Sequence, residues 1–279
     1  MTCGELPPVR FDVNCSLLFG ELPLLQRPQA ARDAGFDAVE LWWPFADPVP
    51  SDREAQALVR AVRDAGVRLV SLNGTGGSSE RGERGLLSVP GREREFADNL
   101  AAVLALAREL ACPAVHLLYG NRVPGAAPEA QDELAAEHLA RAAEQAATSG
   151  AVVLVEALSG GPDYPLRTGD DVARVLDRVG SPHVRFLCDL YHLATNGEDV
   201  AEVVRGHASR TGHVQVADAP GRHQPGTGAL DVAGLLRTLV AMGYAGWVGL
   251  EYAPLGPSAD SFSWLPRPLR GSGDLHHEA

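Results

Sequence analysis

Short apolar runs alternate with longer amphipathic stretches along nearly the whole chain. The runs at Val9–Cys15, Ala38–Trp42, Val67–Asn73, Ala114–Leu118, Val152–Glu156, Val184–Asp189, His213–Ala217 and Trp247–Tyr252 are mostly apolar and β-like. Strands buried on both faces read this way. Between them lie Ala/Leu/Arg-rich segments of helical length near 24–34, 52–65, 92–110, 128–148, 169–178, 199–208 and 231–242. Ser51 and Thr168 suit helix N-caps, and Gly35, Gly66, Gly150 and Gly243 stand just past helix ends. Strands alternating with helices predict a parallel α/β sheet, and eight such units in 279 residues fit a closed (β/α)8 barrel. An open doubly wound sheet is the alternative. It would place a Gly-rich turn after the first strand, which Cys15–Gly20 (CSLLFG) does not provide. With no internal boundary visible, residues 1–265 read as one domain. Residues 266–279, rich in Pro, Gly and charge, read as a disordered tail. Residues 74–91 form a long Gly/Ser-rich loop after the third strand, a candidate lid over the barrel mouth.

In a parallel barrel the C-terminal strand ends open on one face, where active sites lie. The last four strands each deliver an oxygen donor there. The fifth ends in Glu156 and the sixth in Asp189; the seventh carries Gln215 and Asp218, and the eighth ends in Glu251. One such carboxylate could be a helix cap or a loop acceptor. Four donors in register on adjacent strands form an oxygen-rich shell suited to Mg2+ or Mn2+, whereas Zn2+ prefers more His or Cys. Without a cation the carboxylates would repel and raise one another's pKa. His192 follows Asp189 by three residues, and His213 shares a strand face with Gln215. Arg222 lies in the loop after strand seven, where its planar fork suits a substrate carboxylate. The turn Gly226-Thr227-Gly228 offers amides to a ligand. Asn14, Glu40, Asn73 and His116, in or at the ends of other strands, are polar lining and candidate substrate contacts.

Charge and cysteine usage narrow the function class. A formal net charge of −12 argues against a nucleic-acid or anionic-membrane partner, since phosphate is bound by Lys and Arg. A small anionic substrate needs only a local cation. Cys3, Cys15, Cys112 and Cys188 are scattered without metal-site spacing and read as free thiols in a reducing compartment. No signal peptide and no membrane-length apolar run is visible, so a cytoplasmic protein acting on a small molecule is expected. A homo-oligomer is left open.

Taken together, NCSLLFGE, AGFDAVEL, GERG, PGREREFADN, CDLYH, GHVQVADAPGR, QPGTG and GWVGLEY resemble hydroxypyruvate isomerase and its relatives among the xylose isomerase-like TIM barrels, over about Arg10 to Trp264. The resemblance implies a metal shell of Glu156, Asp189, Gln215 and Glu251. It makes Glu156 and Glu251 the catalytic acid/base pair. It implies an aldose–ketose type isomerase converting hydroxypyruvate to tartronate semialdehyde, and His192, Arg222, Asn73 and His116 are the expected substrate-binding residues. Gln215, where the ketose 3-epimerase relatives have His, favours the hydroxypyruvate isomerase branch. The chain departs from the family pattern at Ala157-Leu158-Ser159, Ala253, Ser78-Ser79 and Ala229, which bears on substrate contacts rather than metal. Three alternatives stand beside this reading. One is an isomerase or 3-epimerase of a larger ketose, 2-oxo-tetronate or inositol-derived compound. The others are a metal-dependent abasic-site endonuclease and a non-enzymatic sugar-binding barrel.

Overall fold

A computed structural model describes residues 6–271. Eight parallel strands, β1 (Arg10–Asn14), β2 (Ala38–Leu41), β3 (Arg68–Asn73), β4 (Ala114–His116), β5 (Val152–Glu156), β6 (Val184–Asp189), β7 (Thr211–Val216) and β8 (Trp247–Leu250), pair in sequence order. The ring closes because β1 also pairs with β8, Val13 opposite Leu250. Helices α1 (Arg27–Asp33), α2 (Asp52–Ala65), α3 (Glu93–Glu109), α4 (Pro128–Ala147), α5 (Gly169–Val179), α6 (Leu190–Thr195), α7 (Val200–His207) and α8 (Val232–Ala241) follow the strands. The expected barrel is present, and the open-sheet alternative is excluded by the closure. Ser51 and Thr168 both form full capping boxes, with Glu54 and Asp171. The short α6 has no counterpart in the sequence reading. Its N-cap is Asp189, whose side chain accepts from the amides of Tyr191 and His192.

Strand alternation divides the interior from the main core. Phe11, Val13, Val39, Leu41, Val153, Val155, Val214, Val216, Val248 and Leu250 join the helices in one apolar layer. Their alternates turn into the barrel. Two small apolar clusters, Ala38–Val70–Trp247 and Ala114–Leu154–Leu187, fill part of that interior. Toward the C-terminal strand ends the interior turns polar, with Asp12, Asn14, Glu40, His116, Glu156, Asp189, His213, Gln215 and Glu251 all buried. Such a concentration of buried polar groups needs mutual hydrogen bonds or a bound ligand.

The loop 74–91 is pinned rather than free-standing. Glu83 accepts from the amide of Ser78 at 2.7 Å and pairs with Arg81 and Arg92. Gly85 bridges to Tyr119, where an added Cβ would lie 2.1 Å from the Leu118 carbonyl oxygen. The tail reading needs correction over residues 266–271. Arg267–Leu269 form a 3-10 turn. Arg267 donates to the Asp33 carbonyl at 2.8 Å, and Arg270 to those of Ala34 and Phe262 at 2.9 Å each. These arginines tie the segment to the end of α1, which hydropathy alone does not register. Residues 272–279 lie outside the described residues. Cys15, Cys112 and Cys188 are free and buried, and Cys3 also lies outside the description. No helix among the described residues is long and apolar enough to cross a membrane.

Candidate active site

A cavity of about 460 Å³ opens at the C-terminal strand ends. Asn73, Glu156, His192, Arg222 and Glu251 line it, together with Trp42, Trp43 and Phe45 after β2, Gly74–Gly77, Glu83 and Arg84 from the β3 loop, and Leu118 and Leu158. Register explains why the donors share one height: Asp189 pairs with Gln215, and Gln215 with Gly249, two residues before Glu251.

Each donor is held differently. Asp189 Oδ1 accepts from the amides of Tyr191 and His192 at 2.8 and 3.1 Å, while Oδ2, fully buried, has no hydrogen-bond partner. Gln215 donates through Nε2 to Glu40 at 2.8 Å and to Glu251. Both neighbours, when ionised, only accept, and against them the Gln215 carbonyl turns away. Glu251 Oε2 also takes Asn14 Nδ2 at 2.8 Å and Trp42 Nε1 at 3.4 Å, and its Oε1 pairs with Arg222. Glu156 faces the cavity, with His116 Nε2 at 3.3 Å from Oε1. Glu156, Asp189 and His192 offer ligand atoms within 4.8 Å of one another. Gln215 and Glu251 bond to each other at the same rim.

The electrostatics ask for positive charge. Burial, then the charges of Glu251 and Asp189, push Glu156 well above the carboxylate range. Burial pushes Glu251 up to about 8 against the opposing pull of Arg222. A divalent cation would relieve both. Together with the orphaned Asp189 Oδ2 and the outward-turned Gln215 carbonyl, this donor set fits an oxygen-preferring cation.

His192 is better placed as a hydrogen-bond donor than as a ligand. Its Nδ1 accepts from the Ser159 amide at 3.1 Å, so the neutral ring carries its proton on Nε2, 3.7 Å from Asp189 Oδ2. Burial pulls its pKa down to about 4. The hydroxyl of Ser159, one of the departures from the family pattern, also lies 2.7 Å from Nδ1. Arg222 lies over the Tyr191 ring, 5.4 Å to the centroid, with Nε unpartnered. His116 does not line the cavity; it stands buried behind Glu156, and burial holds its pKa near about 3.

Two features of the sequence reading, Asp218 and the turn Gly226-Thr227-Gly228, turn out to be scaffolding. Asp218 spends both oxygens on the amides of Ala219, Leu230 and Gly226, at 2.7 to 3.0 Å. The Gly226 amide therefore faces Asp218, and none of Gly226, Thr227 and Gly228 lines the cavity. The aromatic wall of Trp42, Trp43 and Phe45 was missed. Its signal is three aromatics in four positions at a strand end, interrupted by Pro44 and too apolar for a solvated loop. Arg84, inside the GERG motif, is a second cavity cation that went unassigned.

The sequence profile of the xylose isomerase-like TIM barrels matches residues 28–267. A protein of Streptomyces coelicolor named "Putative hydroxypyruvate isomerase" is 52% identical over 272 residues, covering 94% of this chain and 98% of that protein. A 2-oxo-tetronate isomerase of Cupriavidus necator is 33% identical, covering 92% and 97%. Among solved structures, one titled AP endonuclease, family 2, from Brucella melitensis superimposes with a TM-score of 0.85 at 33% identity, covering 92% of this chain and 97% of that one.

Proposed function

The chain belongs to the xylose isomerase-like TIM-barrel family and is an isomerase of the hydroxypyruvate isomerase kind, and from that premise we propose that it interconverts hydroxypyruvate and tartronate semialdehyde in the cytoplasm. In this reading Glu156, Asp189, Gln215 and Glu251 hold one Mg2+ or Mn2+. The observation that carries it is the buried pair Glu156 and Glu251, crowded with Asp189 and an outward-turned Gln215 carbonyl, where unpaired negative charge is otherwise prohibitive.

Bound there, the cation supplies Lewis acidity toward a carbonyl and its neighbouring hydroxyl. The chain's own groups do the rest. One of Glu156 and Glu251 takes a proton from the hydroxyl-bearing carbon, and a proton returns to the adjacent carbon from the pair, while the hydroxyl proton passes to the former carbonyl oxygen. Both carboxylates line the cavity, where one can accept a proton and the other return one. Arg222 brings its guanidinium to the cavity wall for the substrate carboxylate, and His192 offers Nε2–H. The aromatic wall and the pinned loop 74–91 shield the site from water.

Proton NMR of hydroxypyruvate in D2O tests the proposal. Tartronate semialdehyde should form with deuterium exchanged at carbon, stop with EDTA, and return with Mn2+ or Mg2+. Absence of turnover on every three- and four-carbon hydroxy-oxo acid would sink it. The cavity volume favours one second reading, a longer hydroxy-oxo acid such as a 2-oxo-tetronate, which the same spectra distinguish by the carbon that exchanges.

A further inference from the structure

The proposed chemistry gives no part to Glu40, at β2, although its carboxylate has three side-chain partners in the barrel interior. It is 1% exposed. Its Oε1 accepts from Asn14 Nδ2 at 2.9 Å and from Gln215 Nε2 at 2.8 Å. Its Oε2 lies 2.7 Å from His213 Nε2, which also has Asp12 Oδ2 at 3.9 Å. The same two amide nitrogens reach on to Glu251. Space for the carboxylate exists because position 249 is glycine; a Cβ there would lie 2.8 Å from Glu40 Oε1.

We propose that Glu40, locked by His213, is a positioning residue that fixes Gln215 with its carbonyl oxygen toward the cation and Asn14 against Glu251. The logic is donor and acceptor bookkeeping. A glutamine side chain has one donor end and one acceptor end, and flipping it exchanges them. Only the donor end can sit between two carboxylates, so Glu40 and Glu251 together exclude the flipped amide, which would turn an NH2 group toward the metal. Glu251 alone cannot do this once it is engaged by the cation. Outer partners that orient a metal ligand in this way are worth about 10–100-fold in metal affinity. The inference rests on the metal shell proposed above and assigns a role to three residues outside it.

The test reads free Mn2+ by its EPR signal during titration of the purified chain, with melting temperature measured in parallel. Wild type should bind one Mn2+ per chain. Glu40→Gln keeps shape but presents a donor, and it should weaken Mn2+ binding about tenfold or more. In a Gln215→Ala background the same change should alter affinity less than about threefold, because the amide it orients is gone. An equal loss in both backgrounds would mean that Glu40 acts only as a remote charge, and would overturn the proposal. So would Mn2+ affinity within twofold of wild type in folded Glu40→Gln. Should Glu40→Gln not fold, His213→Gln, which frees Glu40 without removing it, carries the same comparison: several-fold weaker binding supports the proposal and unchanged binding overturns it. If wild type itself binds no Mn2+, the metal shell fails and the inference with it, an outcome distinct from the others.

Discussion

Gly249→Ala is a single methyl added inside the barrel, and the structure fixes its cost. Gly249 does not need a left-handed backbone, so the effect is steric. The new Cβ would sit 2.8 to 2.9 Å from three atoms of the Glu40 carboxyl group. That group cannot swing away without breaking its bonds to Asn14, Gln215 and His213. Overpacking of this kind costs about 1–3 kcal/mol, and each hydrogen bond to a charged group is worth about 1.5–3 kcal/mol. Against this, alanine lowers the entropy of the unfolded chain by about 0.4–1 kcal/mol. With one bond partly lost, the net is about 2–3 kcal/mol of destabilisation, which for a domain of this size is a fall of roughly 4–12 °C in Tm. Thermal and urea denaturation followed by circular dichroism measure it. Gly206→Ala is the control: Gly206 lies in α7 with no atom within 4 Å of its ideal Cβ, and the change should raise stability by about 0.5–1 kcal/mol. If Gly249→Ala melts within about 1 °C of wild type, Glu40 is not clamped as described, and the account of the barrel interior is wrong.

Two further predictions separate ligand from scaffold. Asp189→Asn should keep the N-cap of α6, since Asn caps as well as Asp, and should leave stability within about 1 kcal/mol of wild type while Mn2+ binding falls by two orders of magnitude or more. Asp218→Ala should behave oppositely, losing about 2–4 kcal/mol in denaturation because three backbone amides lose their acceptor, with Mn2+ affinity within about threefold. Arg222→Lys should raise KM for a carboxylate-bearing substrate by about ten- to a hundredfold with a smaller effect on kcat, measured by steady-state kinetics; a change confined to kcat would remove Arg222 from substrate binding.

The barrel was legible because two-sided burial writes strands as mostly apolar runs, and because capping residues such as Ser51 and Thr168 mark helix starts locally. The rim donors were legible because a charge at the end of such a run is anomalous. What stayed hidden depends on partners distant in sequence. The bonds of Glu40 run to Asn14, His213 and Gln215, up to 175 positions away, and no local pattern encodes them. The short α6 was missed because its one capping residue, Asp189, reads equally well as a ligand, and in the structure one of its oxygens caps while the other does not. Arg267 and Arg270 fall in the segment whose composition reads as a disordered tail, although their guanidinium groups bond to backbone carbonyls around the end of α1.

That divided use of a side chain is a criterion that sequence lacks and geometry supplies. A residue that serves both fold and ligand must leave one atom unspent. Asp189 commits Oδ1 to two amides and leaves Oδ2 buried and unpartnered. Gln215 commits its amide nitrogen to two carboxylates, which turns the carbonyl outward. Asp218, just past β7 and just as buried, commits both oxygens to backbone amides. Burying an unspent carboxylate oxygen is costly unless a cation or proton meets it. Asp189 Oδ2, buried and bare, is therefore the point at which the cation proposed above would be met. Arg222 already pairs with Glu251, and His192 faces Asp189 only at 3.7 Å, so the carboxylates left without a close cation are Glu156 and Asp189, which with His192 offer ligand atoms within 4.8 Å of one another.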